Sequence, residues 1–411
     1  MWELIRANKR NSIILMTLMA AVLLLLGYLI GALIFGPQGG VFGIVIAAVI
    51  WIILTLVSFA SGDQILLLAS RAQPVAKDVH PQLFNVVEEM TIAAGLGKMP
   101  KVYIIPDPAP NAFATGRKPQ DSSIAVTAGL LGRLNRDELQ GVIAHEMSHI
   151  IHRDILFVTL AGIMLGTIVL LSELLFRGMF YGGMGGRRRY SSGGKGGGQA
   201  MILIVILAIV AAILAPIMAQ LLYFALSRRR EYLADAGAVR LTRYPEGLAC
   251  ALEKIANDPS PQLAAANKVT APMYIVNPFK KRGQMALSDL TSTHPPISER
   301  VRILRNMTHG ASFRDYSDAY AATTHHRTII PASAMAKEQI AIRETSERAA
   351  KEKCKADQIR HVGDIMRIVN GFVFLSCACG LKLKVPPNYR GNTVKCPRCS
   401  KVLQLPKRQT G

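Results

Sequence analysis

The sequence predicts a mainly α-helical membrane protein that carries a small α/β domain and a small β domain at its C-terminal end. Half of its 411 residues are hydrophobic, and the mean hydropathy is +0.28, which is higher than is usual for a soluble protein. Between the long apolar runs lies a segment in which helix and strand periodicities alternate. Four of the six cysteines lie within the last 35 residues, which favours a metal-binding module over a disulfide framework.

Two uncharged runs near the N-terminus predict a transmembrane hairpin. Residues 13–35 contain 23 positions without a charge and residues 41–60 contain 20 more, so each run can cross the hydrocarbon core. The first run is too long for a cleaved signal peptide. Basic residues flank the hairpin on both sides, and the positive-inside rule therefore places both of its ends in the cytoplasm. We expect a multi-pass protein of the plasma (inner) membrane.

A soluble α/β portion is predicted between residues 75 and 154. Residues 80–94 have helical periodicity. Three short runs are predicted strands: 101–105, 111–116 and 123–127. Asn135, with Glu138 three residues later, has the pattern of a capping box at the start of the next helix. We expect that helix to continue through the apolar stretch from Leu139 to Leu160.

Two further apolar runs, 155–176 and 201–226, contain a single charge, Glu173. We predict that both span the membrane because each is long enough. The Gly-rich loop between them is basic, and spanning would place it outside, against the positive-inside rule. A hairpin that dips into the membrane or packs against the catalytic domain is the alternative.

The net charge of +21 points to a lipid partner more than to a nucleic acid. The basic residues are scattered along the chain and are not gathered into one recognition module. They also flank the apolar runs, where anionic lipid attracts them. A nucleic-acid partner is therefore not expected.

The five residues His145-Glu-Met-Ser-His149 carry the chemistry of the chain. Two histidines four apart lie on one face of a helix, so both imidazoles can bind one Zn²⁺. Glu146 then points at the coordination position where a water would lie, and it can take a proton from that water. This pattern indicates metal-assisted hydrolysis of an amide bond.

A catalytic zinc site needs a third protein ligand. Glu231 is the candidate. It lies just after the fourth apolar run, and the motif helix lies just before the third. If these two runs form a hairpin, their cytoplasmic ends lie side by side. Asp235, four residues later, could accept a hydrogen bond from a ligand imidazole. An ordinary solvated helix face is the alternative for both. His152 is interpreted as a surface histidine or one that supports a ligand, because a third ligand from the same helix could not wrap a tetrahedral ion.

These motifs, in this order, resemble the HtpX family of membrane zinc metallopeptidases, which is related to the CAAX prenyl endopeptidases. The resemblance covers about residues 1–306. Its matching segments are the paired N-terminal runs, residues 111–116, the His145–His149 motif, Glu231 with Asp235, and His294-Pro-Pro296. It implies that Glu231 is the third zinc ligand, that Glu146 is the general base and that the active site faces the cytoplasm.

The resemblance also assigns two roles outside the metal ligands. The strand at 111–116 would pair with an extended substrate, and Asn111 would hold the substrate backbone. His294 would stabilise the developing oxyanion. For His294, capping of the helix that starts near Ser298 is the alternative.

The C-terminal cysteines form a Cys-x-Cys and a Cys-x-x-Cys pair that are separated by 16 residues. The four residues are Cys377, Cys379, Cys396 and Cys399. Strand-like runs surround them, and the pattern is similar to a zinc ribbon that holds a structural Zn²⁺. A redox dithiol is the alternative. Typical family members do not need such a tail, so its role is open.

We therefore predict four parts: a transmembrane hairpin (1–70), a metallopeptidase domain that includes the two further hydrophobic helices (71–310), a charged helical linker (311–370) and a zinc-ribbon-like domain (371–411). The predicted function is zinc-dependent endoproteolysis of misfolded or damaged membrane proteins, with membrane-protein or unfolded polypeptide substrates. Two alternatives are open. A prenyl-protein endopeptidase is expected to need more helices, and the intact Glu146 argues against a non-catalytic zinc-binding scaffold.

Overall fold

The structure is a computed structural model, and it describes residues 2–36, 38–182, 197–258, 275, 295–325, 330, 339–343, 355–379 and 381–405. Its helices are α1 (Trp2–Phe35), α2 (Gly39–Ala69), α3 (Pro81–Ala93), α4 (Ala128–Arg133), α5 (Arg136–His152), α6 (Ile155–Gly182), α7 (Gly197–Thr242), α8 (Pro245–Ala256), α9 (Ile297–Arg305), α10 (Phe313–Thr324) and α11 (Lys355–Val369). Its strands are β1 (Gln73–Pro74), β2 (Lys101–Ile105), β3 (Ala112–Gly116), β4 (Ser122–Thr127), β5 (Val373–Ser376), β6 (Lys382–Val385), β7 (Thr393–Lys395) and β8 (Val402–Gln404). This mainly helical architecture with small sheets is the predicted fold class.

The N-terminal hairpin packs through glycine. A Cβ added at Gly43 would lie 2.0 Å from the carbonyl oxygen of Gly27, and one at Gly31 would lie 2.3 Å from that of Gly39. Small residues of this kind let two membrane helices approach at the backbone. Among the described residues, Lys9–Phe35 and Gly39–Ala69 are long and apolar enough to cross a membrane, as predicted.

Helices α6 and α7 pack beside this hairpin. A stripe of α1 residues, spaced three or four apart, is buried between the helices: Leu15, Met19, Leu23, Leu26 and Leu29. Helix α7 meets this stripe with alanines: Ala208, Ala211, Ala212, Ala215 and Ala219. The bulky-against-small pattern lets the helices approach closely. That α6 and α7 cross the bilayer stays a prediction.

A four-stranded sheet lies beside the bundle in the order β1-β2-β4-β3. Strands β2 and β4 are parallel, and β3 runs antiparallel to β4 at the edge. The predicted helix at 80–94 and the three predicted strands are confirmed, whereas β1 was not predicted. Among the described residues, no strand pairs with the other side of β3.

Helix α5 lies at the centre of the catalytic portion, between the sheet, α7 and α8. Its capping box is confirmed. The Glu138 amide donates to Asn135 Oδ1, and the Asn135 amide donates to the Glu138 carboxylate. The prediction of one helix from Leu139 to Leu160 is wrong. The helix ends at His152, because Arg153 takes a left-handed conformation with φ 54° and turns the chain into α6.

The segment predicted as a charged helical linker is more closely packed than expected. Helix α10 buries Tyr316 in the main core. Residues 339–343 are not helical, so the predicted charged helical linker (311–370) is not helical throughout. The reason is packing: Ile340 and Ile342 lie against the core, and Arg343 donates to Asp137 across 2.7 Å.

Two short antiparallel hairpins, β5–β6 and β7–β8, form the C-terminal portion. Strands β5, β6 and β8 confirm the strand-like runs that were predicted around the cysteines, and β7 is an additional strand. Each pair of cysteines lies in the turn that joins the two strands of one hairpin. The Cys377 amide donates to the Leu381 carbonyl, and the Cys396 amide donates to the Lys401 carbonyl, each at 2.9 Å.

Candidate metal centre

Helix α5 presents His145 and His149 side by side on one face, with ring centroids 4.9 Å apart. This follows from the four-residue spacing. Two glycines let neighbouring helices approach α5. A Cβ at Gly141 would lie 2.8 Å from the Leu248 amide of α8, and one at Gly237 would lie 2.1 Å from Ser148 Oγ. The close approach of α7 brings its acidic residues to the histidines.

Glu231 lies between the two imidazoles. Its carboxylate oxygens are 3.6 Å from His145 Nε2 and 3.5 Å from His149 Nε2. One donor atom from each of the three residues lies within 4.8 Å of the others, as a shared cation requires. The structure thus brings together the three residues that the sequence singled out, although Glu231 is more than 80 positions from either histidine.

Each histidine is held by a carboxylate at its other ring nitrogen. His145 Nδ1 lies 2.9 Å from Asp235 Oδ1, and His149 Nδ1 lies 3.1 Å from Asp154 Oδ2. Such contacts fix the tautomer, so Nε2 of each ring is directed at the site. Asp235 therefore lies where the sequence placed it.

Arg300 of α9 completes the cluster. It is fully buried and donates to both Asp235 oxygens, at 2.8 Å from Nε and 2.6 Å from Nη2. Its Nη1 also lies 3.4 Å from Glu231 Oε2. Arg300 was not predicted from the sequence, but a signal was present. Arg300 falls on the apolar face of α9 with Val301 and Leu304, and an arginine in that position needs a buried partner.

The electrostatics of the site favour a cation. Burial opposes protonation of His145, but its hydrogen bond to Asp235 and the nearby Glu231 carboxylate outweigh burial and raise its pKa. For His149, burial is likewise outweighed, chiefly by Asp154, and the pKa lies well above its usual value. The neighbouring carboxylates thus stabilise positive charge at both rings.

The donor set fits zinc. His145 Nε2 is buried and has no hydrogen-bond partner among the described residues. A buried polar atom without a partner is costly, and a metal ion would satisfy it. Two imidazoles and one carboxylate with an open position are the ligand set of catalytic zinc sites.

Glu146 lies beside the cluster and next to the sheet. It is 2% exposed, and burial raises its pKa, although the two histidines oppose that shift. The Ala114 backbone amide donates to its carboxylate. Ala114 lies on β3. In an antiparallel pair only every second residue bonds to the neighbouring strand through its backbone, and Asn111 does so with Thr127. The backbone N–H and C=O groups of Ala112 and Ala114 therefore point away from β4. The carboxylate is therefore held against the outer edge of the sheet, on the side of β3 that faces away from β4.

The other predicted site residues have different outcomes. Asn111 is buried, and its Oδ1 accepts from the Ala112 amide at the outer edge. The Ala112 carbonyl accepts from the Ile275 amide at 3.1 Å. His294 lies outside the described residues. His152 is not on the surface, since it is buried with Nδ1 3.1 Å from Ser148 Oγ, and burial lowers its pKa to about 4.

The four C-terminal cysteines form a second cluster. Their sulfur atoms all lie within 4.8 Å of one another, and none forms a disulfide. Cys377 Sγ is 3.3 Å from Cys399 Sγ, and Cys379 Sγ is 3.6 Å from Cys396 Sγ. Hydrogen bonds from the backbone amide of Cys399 and, to a smaller extent, from that of Arg398 help to lower the pKa of Cys396 to about 6. A thiol with a lowered pKa loses its proton more readily, as a cysteine that binds a metal must.

The chemistry of the site defines a class of protein. Two histidines and a glutamate that can share one cation, with a buried carboxylate beside them, are typical of a metalloprotease. The two membrane-length helices make it a membrane metalloprotease. Residues 77–308, more than half of the chain, match the model described as Peptidase family M48. The chain belongs to this family.

Curated relatives agree with this assignment. A protein named Protease HtpX homolog from Dictyoglomus thermophilum is 45% identical over 306 residues, which are 74% of this chain and 94% of that relative. Its namesake from Caldanaerobacter subterraneus subsp. tengcongensis is 41% identical over 308 residues, 75% of this chain and 98% of the relative. The Listeria monocytogenes namesake is 42% identical over 310 residues, 75% of this chain and 100% of the relative. The predicted resemblance to the HtpX family is confirmed.

Among solved structures, S. mikatae Ste24p is similar with a TM-score of 0.38 and 20% identity, over 74% of this chain and 67% of that one. About a quarter of the present chain lies outside each match to the curated relatives. The family model ends at residue 308, well before the four-cysteine cluster.

Proposed function

We propose that this chain is a zinc-dependent endopeptidase that cleaves misfolded or damaged membrane proteins on the cytoplasmic side of the plasma membrane. The observation that carries the proposal is the position of Glu146. Its buried carboxylate lies beside the His145–His149–Glu231 cluster and accepts a hydrogen bond from the outer edge strand. A cation site, a proton acceptor and a surface for an extended peptide thus meet at one point.

The residues divide the work of peptide hydrolysis. His145, His149 and Glu231 would hold the ion, which when bound supplies a Lewis acid that polarises the scissile carbonyl. Glu146 accepts a proton from the attacking water and passes it to the leaving amine, a role suited to a carboxyl group whose pKa is raised by burial. Asp235 and Asp154 keep Nε2 of each histidine directed at the ion.

An extended substrate would lie along the outer side of β3, where it would replace the contact of the Ile275 amide with the Ala112 carbonyl. Backbone groups on the outer side of an edge strand can pair with an incoming strand, which gives affinity without demanding one side-chain sequence. This mode suits an enzyme that cuts unfolded polypeptides. The membrane-length hairpin would keep the site close to the bilayer, where damaged membrane proteins expose such segments.

The proposal is tested with the full-length protein in detergent and an unfolded membrane-protein substrate. Glu146→Gln keeps the shape of the side chain but removes the proton acceptor, so we expect at least a hundredfold loss of cleavage rate with zinc retained. Glu88→Gln, on the exposed face of α3, is the matched control and should cut like the wild type. Cleavage by Glu146→Gln at the wild-type rate would refute the mechanism. Preferential cleavage of a farnesylated peptide would favour prenyl-protein processing instead.

We also propose that the four cysteines bind a structural Zn²⁺. The wild-type chain should then contain two zinc ions per protein by elemental analysis. His149→Ala and Cys396→Ser should each leave one, because each removes a ligand from a different cluster. A wild-type count of one, or a Cys396→Ser count equal to that of the wild type, contradicts the structural site.

A further inference from the structure

A pocket of about 340 Å³ lies at the far end of the motif helix, outside the metal centre. We call it the interfacial pocket. Ile5, Leu96 and Ile151 give it an apolar side, and Lys98, Gln120 and Arg153 give it a polar side. Gly95 and Gly97 border open space, since a Cβ added at either would meet no atom within 4 Å.

The two cations of the pocket have no counter-ion. Lys98 and Arg153 are exposed, and neither forms an ion pair with any described residue. Among the described residues that line the pocket there is no aspartate or glutamate either. Two uncompensated positive charges in one concave site attract an anion. The apolar side in the same pocket indicates that the anion belongs to an amphiphile.

The pocket lies next to the start of the first membrane-length segment. Ile5 is four residues before Lys9, where the first membrane-length segment begins, so it lies about 6 Å below that level along α1. The headgroup region on each side of a bilayer is about 5–7 Å thick. Ile92, on the last turn of α3 and three residues before Gly95 of the pocket, is 75% exposed, as suits a side chain that reaches into the bilayer surface.

We propose that the interfacial pocket binds the headgroup of one anionic phospholipid from the surrounding bilayer. Lys98 and Arg153 would pair with the phosphodiester, Gln120 would donate a hydrogen bond, and the apolar side would cover the glycerol and the first methylene groups. Arg153 directly precedes Asp154, which holds His149. A bound lipid would therefore fix the catalytic portion against the membrane at the end of the helix that carries the metal ligands.

The test measures lipid retention by native mass spectrometry on the full-length protein in detergent. Phosphatidylglycerol is the probe, and phosphatidylcholine and soluble glycerol 3-phosphate are the comparison ligands. We expect the wild type to retain one phosphatidylglycerol, and Lys98→Gln with Arg153→Gln to weaken retention about 30-fold, the loss for two basic residues at a membrane surface. Gly97→Phe fills the pocket without changing charge and should also displace the lipid.

The matched control is Arg243→Gln with Lys401→Gln. It removes the same charge away from the pocket, and Arg243, like Arg153, is exposed and left-handed with φ 55°. This control should retain phosphatidylglycerol like the wild type. Equal loss in control and pocket variants, equal retention of phosphatidylcholine, or binding of glycerol 3-phosphate as tight as that of the lipid would overturn the proposal. If the double variant does not fold, Lys98→Gln alone, in a loop, should weaken retention about fivefold.

Discussion

At the scale of single residues, a buried arginine joins the proposed ligands to the rest of the protein. Arg300 neutralises Asp235 and lies close to Glu231, so three charged groups are buried together with a histidine. A buried charge is tolerated only where its partners are in place. The position of Asp235, and with it the orientation of His145, therefore depends on a side chain from α9.

Arg300→Met tests this dependence. Removing the guanidinium leaves Asp235 buried without its cation, which should cost about 3–5 kcal/mol of unfolding free energy and weaken zinc binding about 10–100-fold. Zinc competition with a chelator and denaturant unfolding measure the two effects. Arg305→Met on the same helix is the control, since its exposed pairs with Glu246 and Glu253 are worth at most about 1 kcal/mol. Equal behaviour of the two variants would rule out the positioning role.

At the scale of elements, the metal centre depends on how closely α5 and α7 approach. Glu231 and Asp235 lie one turn apart on α7, and Gly237 is the residue that meets Ser148 of α5. Any side chain at position 237 would separate the two helices. Because the histidines and Glu231 come from different helices, a small shift would move the ligands apart.

Gly237→Ala should therefore destabilise the protein by about 1–3 kcal/mol and weaken zinc binding, since the new Cβ would lie 2.1 Å from Ser148 Oγ. The control is Gly363→Ala in α11, whose Cβ would meet only Arg367 Nη1 at 3.4 Å. That change should be neutral or stabilise the protein by up to about 1 kcal/mol, because alanine is the better helix former. Thermal unfolding and zinc competition measure both variants. A Gly237→Ala protein that matches the control in both assays contradicts the close-approach argument.

What the sequence could predict follows from how local each signal is. The capping box at Asn135, the strand runs and the hairpin depend on neighbouring residues, and their predictions are confirmed. The helix end at Arg153 was not predicted, because apolar residues continue on both sides of it. The turn there brings Asp154 to His149, a contact that is visible only in the folded chain. Arg300 was missed since its partners lie 65 and 69 positions away. Local pattern gives elements, whereas buried charge pairs are visible only once the elements are packed.

At the scale of the whole molecule, the C-terminal part consists of two segments that differ in their attachment. Helix α11 belongs to the main core, where Val362 and Ile365 are buried and α11 packs on α4. The two hairpins that follow are mostly exposed and have their own four-cysteine cluster. Lys384 contacts Asp364 of α11 through a partly exposed ion pair, which contributes little to stability.

Two truncations separate these segments. Removing residues 371–411 should lower the zinc count from two to one and leave the melting temperature and the Glu146-dependent cleavage of an unfolded peptide close to those of the full chain. Removing residues 355–411 should lower the melting temperature by several degrees more, because it uncovers the apolar surface that Val362 and Ile365 bury at about 1.5–3 kcal/mol per side chain. Zinc analysis, calorimetry and peptide cleavage on the two proteins give the comparison. If the shorter deletion destabilised the catalytic portion as much as the longer one, the hairpins would belong to its core, and the cysteine cluster could not be a separate module.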